Sequence, residues 1–351
     1  MQITLLVPEL IWPEPDDRAT LDDLSCPGLQ ALIARSCLDC RPRQSIEATL
    51  ADGFGLGGSA AYAACRAHGE EPPLAVGADC WLCVDPVHLR LHQERLILAG
   101  GASLEIAVTE AASIVADFNR EFADLGSFHF RAADRWYLQL PLETELGVFD
   151  VPPLSLVAGR RVARQLPEEP GLRWLRRWLN EAQMLLHQHP VNQARERELR
   201  TTINSLWLWG GGRLPPAIDC PFSSLWSDGV LARGLACAAG VAVSPLPAQA
   251  GEFLAQASRG GNHLLLLETL QSPANDDDGD AWRAALIDLE RRWFAPLQKA
   301  LARGAVERLC LEAPTAYATV TWDARRGDQW KLWRRPSSLA ETARSLASRG
   351  R

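Results

Sequence analysis

Apolar residues follow two rhythms along this chain, one continuous and one helical. The opening run ITLLVPELIWP is almost unbroken and predicts a buried strand over residues 2–12. Next comes CPGLQALIARSCLDC, whose apolar positions recur at helical spacing. A helix from Cys26 to Cys37 is expected there, with Ser25 as N-cap and Pro27 in its first turn. Strand followed by helix is the opening of an α/β fold. Between Thr49 and Pro73 a glycine-rich turn leads into a small-residue helix, Ser59 to Ala67, whose alanines permit close packing and an internal position.

From Val84 to about Pro170 the pattern shortens to alternating segments such as SFHFRAADRWYLQLP and GVFDVPPLSL, separated by turn residues. An α+β insertion is the expected reading. Gly171 to His189 then predicts a strong helix, with Leu172, Leu175, Trp178, Leu179, Ala182, Leu185 and Leu186 on one face and Pro190 ending it. After it the α/β rhythm resumes. The strand INSLWLWG comes first, then a helix from Ser227 to Ala239, the run GVAVSPLPA and a helix from Gly251 to Ser258. The strand NHLLLLETL, a long helix from Ala281 to Arg303, the strand VERLCLEAP and an alternating hairpin, YATVTWDARRGDQWKLWRR, complete the series. The predicted organisation is a discontinuous α/β core, residues 1–83 and 186–351, around an inserted α+β domain, residues 84–185. No repeat of fixed period is visible.

Composition narrows the class. With 351 residues, 47% hydrophobic and 23% charged, the chain is of ordinary globular type and long enough for two domains. No apolar run approaches the roughly 18 residues of a spanning helix, so no membrane partner is expected. Early acids, Glu9, Glu14, Asp16 and Asp17, make the N-terminus read as a first strand and not a signal peptide, which predicts a cytoplasmic protein. A net charge of −7 argues against a broad nucleic-acid surface. Nine cysteines, an odd number, suggest reduced thiols. Cys37 and Cys40 with Cys80 and Cys83 match the spacing of a four-thiolate zinc site, but strand positions three apart face opposite ways, and buried free thiols are the preferred reading.

The polar clusters each have a plain structural reading beside a chemical one. His187 and His189 lie two apart, about 200° around a helix, so capping of the helix end is favoured over a shared metal. Arg131 and Arg135 in the insertion, and Arg195, Arg197 and Arg200 after the long helix, have the bidentate donors that phosphate and carboxylate binding uses, although most surface arginines are only solvated. Asp276, Asp277, Asp278 and Asp280 follow a strand end, where carboxylates hold Mg²⁺ or cap the next helix; the capping reading is preferred. Trp207 and Trp209 share a strand face, Trp174 and Trp178 a helix face, and packing is the default for both pairs. No Walker motif, G-x-S-x-G elbow or H-E-x-x-H occurs.

In order along the chain, these segments resemble the cofactor-independent phosphoglycerate mutases, the archaeal type especially, of the alkaline phosphatase superfamily. CPGLQALIARS is similar to the family's "TPNLDRLAREG" helix, and Asp85-Pro86 with HLRLHQERLIL to its entry into the inserted domain. HPVNQARERELRTTINSLWLWGGGRLP resembles "HPVNxxR…ANxxWLWGxG". SDGVLARGLACAAGVAV, with Arg233-Gly234, and LLLLETLQSPANDDDGDAWRAALIDLE resemble the following helix and the strand, acidic loop and helix. The chain looks most like a proteobacterial branch of regulatory proteins, the "regulator of pathogenicity factors E" type. The resemblance implies an alkaline-phosphatase-like α/β sandwich with a parallel-rich sheet and an inserted α+β domain. It also implies a ligand site near Arg135, Asn192 and Arg195, with Gly210, Gly211 and Gly212 at its rim.

The chain departs from that family where the chemistry lies. Family members use two divalent metals, held by Asp and His, to activate a serine or threonine and to bind phosphate. Here Pro8-Glu9-Leu10 stands where the family has Asp-Gly, the acidic-loop Asp and His fall near Pro273 and Asp277, and the late "DHSTP" motif is replaced by EAPTAY, Glu312 to Tyr317. Thr49 is the only nucleophile that suggests itself in ATLADGFGL. The expected protein is therefore a catalytically degenerate mutase-like module that regulates, or binds a small phosphorylated or carboxylated metabolite or a protein partner. The alternative is an active metal-dependent phosphomutase or phosphatase, in which Asp276, Asp277, Asp278, Asp280 and Glu9 hold Mn²⁺ or Mg²⁺.

Overall fold

The computed structural model describes residues 1–57, 61–92, 95–144, 146, 149–158, 161–162, 172–331 and 333–349. Ser59, Pro170 and Gly171, which the sequence puts at element boundaries, lie outside them. Among the described residues the strands run, in chain order, as β1 (Gln2–Leu6), β2 (Cys37–Arg41), β3 (Cys80–His92), β4 (Arg95–Gly100), β5 (Ser127–Ala132), β6 (Arg135–Leu140), β7 (Arg161–Val162), β8 (Ser205–Gly212), β9 (Ser224–Trp226), β10 (Ala242–Ser244), β11 (Asn262–Leu266), β12 (Arg308–Pro314) and β13 (Thr319–Arg325). No helix among the described residues is long and apolar enough to cross a membrane. The chain divides into two units, Met1–Gly55 with Asp219–Arg351, and Leu56–Ile218.

The first unit carries a parallel-rich mixed sheet in the order β10-β9-β11-β1-β12-β13-β2. Neighbours from β10 to β12 are parallel, and β13 and β2 join antiparallel at one edge. Helices Pro27–Arg35, Ala250–Gln256, Gly279–Leu289, Ala295–Arg303 and Leu339–Arg349 supply Leu29, Phe253, Leu286, Leu297 and Leu346 to its core. Continuous apolar sequence in β1 and β11 is what a sheet covered on both faces requires. β1 stops well short of residue 12, because Pro8 has no N–H to give the ladder and Glu9 takes a left-handed φ of 54°.

Four local expectations are corrected by packing. Helix Pro27–Arg35 is N-capped at Cys26, without a side-chain bond, and not by Ser25. Its free N–H groups at Gly28 and Leu29 donate to the Glu290 carboxylate at 2.7 and 3.0 Å. Glu290 begins a π-helical turn, Glu290–Phe294, that interrupts the long helix expected over 281–303. The helix also ends at Arg35, so Cys37 and Cys40 lie exposed on edge strand β2. Finally, the predicted second arm of the C-terminal hairpin is absent from the described residues: β13 pairs with β12 and β2, and a 3-10 turn, Arg326–Trp330, follows it.

The second unit holds an antiparallel sheet, β5-β6-β3-β4-β7, with β8 also on β3. INSLWLWGGG therefore does not resume the parallel core; it lies beside β3, with Trp207 opposite Asp85. A boundary at 83/84 falls inside β3, and one at 185/186 falls inside helix Arg173–Gln188, so the units part at 55/56 and 218/219 instead. The glycines that end β8 admit helix Tyr62–His68. A Cβ at Gly210, whose φ is 65°, would stand 2.8 Å from the Tyr62 Cβ, and one at Gly212 would stand 2.8 Å from the Ala61 Cβ.

Candidate functional site

Parallel α/β sheets present ligands at the carboxyl ends of their strands, where the chain leaves for a helix and polar residues gather. In the first unit, β9 runs directly into Ser227-Asp228-Gly229 and β11 into Leu267-Glu268, while helix Ile46–Gly53 brings Glu47. The surrounding protein, with the charges of Glu47 and Asp228, pushes the Glu268 carboxyl up to about 7, although the side chain still reaches solvent. Gly229 makes room for it, since a Cβ there would lie 2.7 Å from a Glu268 carboxylate oxygen. Ser227, buried, accepts the Gly229 N–H at 2.9 Å. The result is a carboxyl poised to hold or release a proton near neutrality.

A second group stands at the end of β12. The Arg41 guanidinium bonds Glu312 and lies 3.6 Å from Asp52, which also accepts from Gln44 at 2.7 Å. Burial pushes the Glu312 carboxyl up despite Arg41 beside it. The cation at this edge is thus a side chain of the protein. Thr49 is buried and spends its hydroxyl on the Ser45 carbonyl at 2.9 Å, within its own helix, so it is not presented as a nucleophile. EAPTAY ends β12 and turns toward β13, with the Thr315 hydroxyl donating to the Ala318 carbonyl at 2.8 Å.

This donor set does not fit a two-metal centre. Among the described residues no three His, Cys, Asp or Glu side chains converge closely enough to hold an ion. Of the acidic-loop residues, Asp278 N-caps helix Gly279–Leu289 by accepting from Ala281 at 2.9 Å, Asp280 lies in that helix's first turn, and Asp276 accepts from the Ser272 hydroxyl at 3.1 Å. Asp277 has a left-handed φ of 57°, and the Glu9 backbone carbonyl accepts from the Trp282 indole at 2.9 Å.

The predicted ligand residues of the second unit have protein partners. Arg135 makes a two-pronged pair with Glu70, both bonds 3.0 Å. Burial raises the Glu70 carboxyl, but bonds from Arg135 and Tyr137 outweigh it and hold it below the usual range. Asn192, buried, donates to the carbonyls of Leu186 and Ile203 and accepts from the Ile203 N–H, tying the helix end to the start of β8. Arg195, also buried, bonds Glu110 at 2.7 Å, the Thr201 carbonyl at 2.7 Å and the Leu104 carbonyl. Gly210, Gly211 and Gly212 are packing contacts, Gly211 facing Leu146 and Leu82. His189 caps helix Pro190–Arg197 through Nδ1, leaving Nε2 to Asp117 at 3.1 Å, while Cys80 and Cys83 are buried and not joined in disulfides.

Sequence reasoning missed two groups. One is made of the strand-end acids of the first unit, Glu268 with Glu47 and Asp228, and Glu312 with Arg41. The signal was present: Asp228 and Glu268 immediately follow the apolar runs SLWS and HLLLL. The other is a buried network in the second unit. Arg66 pairs with Asp85 at 2.9 and 2.5 Å and lies over the rings of Tyr137 and Trp209, 4.7 and 5.1 Å from their centroids. Asp85 further accepts from the Trp209 indole at 2.8 Å, and Tyr137 donates to Glu70 at 2.6 Å.

No protein-family model matches the chain. Over 69 residues it is 35% identical to the "Probable 2,3-bisphosphoglycerate-independent phosphoglycerate mutase" of Geobacter sulfurreducens, a match taking in 20% of this chain and 17% of that protein. The chain thus aligns with under a fifth of that relative's length. Among solved structures, the PH0037 protein from Pyrococcus horikoshii has the same fold, with a TM-score of 0.55 at 15% identity over 97% of this chain and 92% of that one. The cofactor-independent phosphoglycerate mutase from Thermoplasma acidophilum aligns over 99% of both chains at 14% identity, with a TM-score of 0.43.

Proposed function

We propose that this chain is a phosphoglycerate mutase-like protein that has given up metal-dependent phosphoryl transfer and acts as a regulatory or ligand-binding module. The local identity to a mutase supports the scaffold. The single observation that carries the loss of chemistry is Arg41, whose guanidinium bonds Glu312 and faces Asp52 at the strand ends. A fixed side-chain cation neutralises those carboxylates but neither activates a nucleophile nor exchanges with a substrate. Thr49, turned into its own helix, agrees with this reading.

Of Arg135, Asn192 and Arg195, which the resemblance offers to a phosphorylated or carboxylated metabolite, Arg135 is the accessible one, with 34% of its side chain exposed. Such an anion binds by displacing Glu70, and the displaced carboxylate in turn loses its bond from Tyr137. Phosphorylated three-carbon acids are therefore expected to raise the melting temperature, and Arg135→Ala to abolish the rise. A flat response across such acids leaves the regulatory role to a protein partner.

An active metal-dependent phosphomutase or phosphatase is favoured by one observation, the crowding of Glu268 by Glu47 and Asp228, which a divalent cation would relieve. Metal analysis after dialysis against Mn²⁺, with mutase and phosphatase assays, separates the readings. Substoichiometric metal and no turnover are expected. Stoichiometric Mn²⁺ with turnover that is lost in Glu268→Gln overturns the degenerate reading.

A further inference from the structure

The chain buries most of its large aromatic side chains. Trp12, Trp81, Trp136, Trp207, Trp282 and Trp293 are each under 2% exposed. Trp330 and Trp333, three residues apart after β13, are 78% and 76% exposed. They lie in the segment Arg325–Arg335, which carries five cations, Arg325, Arg326, Lys331, Arg334 and Arg335, against one carboxylate, Asp328, in a chain of net charge −7. Asp328 is taken by Lys331 at 2.5 Å. Arg334 donates one nitrogen to the Ser36 carbonyl at 2.9 Å, which fixes the segment on the first unit, and it and Arg335 remain exposed.

From this we infer that the exposed side chains of Trp330, Trp333, Arg334 and Arg335 form a peripheral docking surface for an anionic lipid bilayer. An exposed indole is costly in water and is at home at the headgroup level of a bilayer, with its ring among the acyl carbons and its N–H in the wet interface. Arginines beside it meet lipid phosphates with their paired donors. A bilayer accepts two projecting rings anywhere on its surface, whereas a protein partner must offer a shaped pocket for each. The charge within about one Debye length, roughly 8 Å at physiological salt, governs the encounter; Asp323, 3.8 Å from Arg325, lies within it, which leaves Arg326, Arg334 and Arg335 as the cations offered to the lipid. Lying on a membrane needs no spanning helix.

Co-sedimentation of the full chain with vesicles tests the proposal. Association is expected with phosphatidylglycerol-rich vesicles at low salt, and not with pure phosphatidylcholine or at high salt. Arg334→Ser with Arg335→Ser weakens it about 30-fold, since each cation near an anionic surface contributes about fivefold. Trp330→Ser with Trp333→Ser weakens it without changing its salt dependence, and Leu199→Ala, at an exposed position in the second unit, leaves it unchanged. Circular dichroism and melting verify that the variants are folded. No vesicle association, equal association with both lipids, or unchanged binding by both double variants overturns the proposal. So does indifference to vesicles combined with either a concentration-dependent dimer lost in the tryptophan variant or binding to polyglutamate lost in the arginine variant.

Discussion

Each unit of the molecule builds a constellation of arginine and carboxylate, and the two are built differently. In the second unit Arg66 is buried, paired through both terminal nitrogens with Asp85 and held over two rings, and Asp85 has further donors in Trp209 and the Trp136 backbone. In the first unit Arg41, with 35% of its side chain exposed, spans Glu312 and Asp52, while Glu268, Glu47 and Asp228 carry their mutual repulsion at neighbouring strand ends. A closed network with every polar atom matched specifies a fold. A half-open one, in which the raised Glu268 carboxyl reaches solvent, can change its protonation or its partners, and the functional reading belongs to it.

The comparison breaks most sharply at Asp85. Asp85→Asn removes the counter-charge of a buried guanidinium, and denaturant titration is expected to show a loss of about 3–5 kcal/mol. A loss under about 1 kcal/mol, the range of exposed pairs, would erase the distinction between the two constellations. Asn192→Ala strips three bonds from buried backbone groups of the same unit, and about 2–3 kcal/mol is expected by the same measurement.

Smaller effects belong to the open edge. Arg41→Gln is expected to change stability by no more than about 1 kcal/mol, because the pair is partly solvated. The variant leaves Glu312 and Asp52 without their cation, so Mn²⁺ should raise its melting temperature and leave the parent's unchanged; equal responses would separate Arg41 from any cation-replacing role. Glu268→Gln sharpens the picture through pH. The folded carboxyl is raised from 4.5 to about 7, so the folded state holds the proton more tightly than the unfolded chain. That contribution is full below 4.5 and is lost as pH rises through 7. Relative to the parent, the glutamine variant should melt higher at pH 8 than at pH 5, and a pH-independent difference would show that Glu268 is unperturbed.

The outline of the fold was legible where burial is continuous. β1, β11 and helix Arg173–Gln188 follow directly from apolar runs and helical spacing, and the capping role of Asp278 follows from an acid before a helix. The candidate site was only half legible. Arg135, Arg195 and Asn192 stand out by residue type and by resemblance, yet type alone does not reveal that Glu70, Glu110 and the Ile203 backbone already occupy them. Asp228 and Glu268 are ordinary acids until two parallel strands bring their ends together.

By itself the sequence determined what local chemistry controls: which runs are buried, and where Pro8 and Pro190 end elements. Only the tertiary structure decided which strands share a sheet. It moved INSLWLWGGG from the parallel sheet to β3, turned Cys37 and Cys40 out on an edge strand, and gave Glu290 the cap that Ser25 was expected to supply. The reason is physical: periodicity records how much of a segment is buried, whereas its partners are chosen by complementarity between segments far apart in the chain, and Glu290 meets Gly28 across 262 residues.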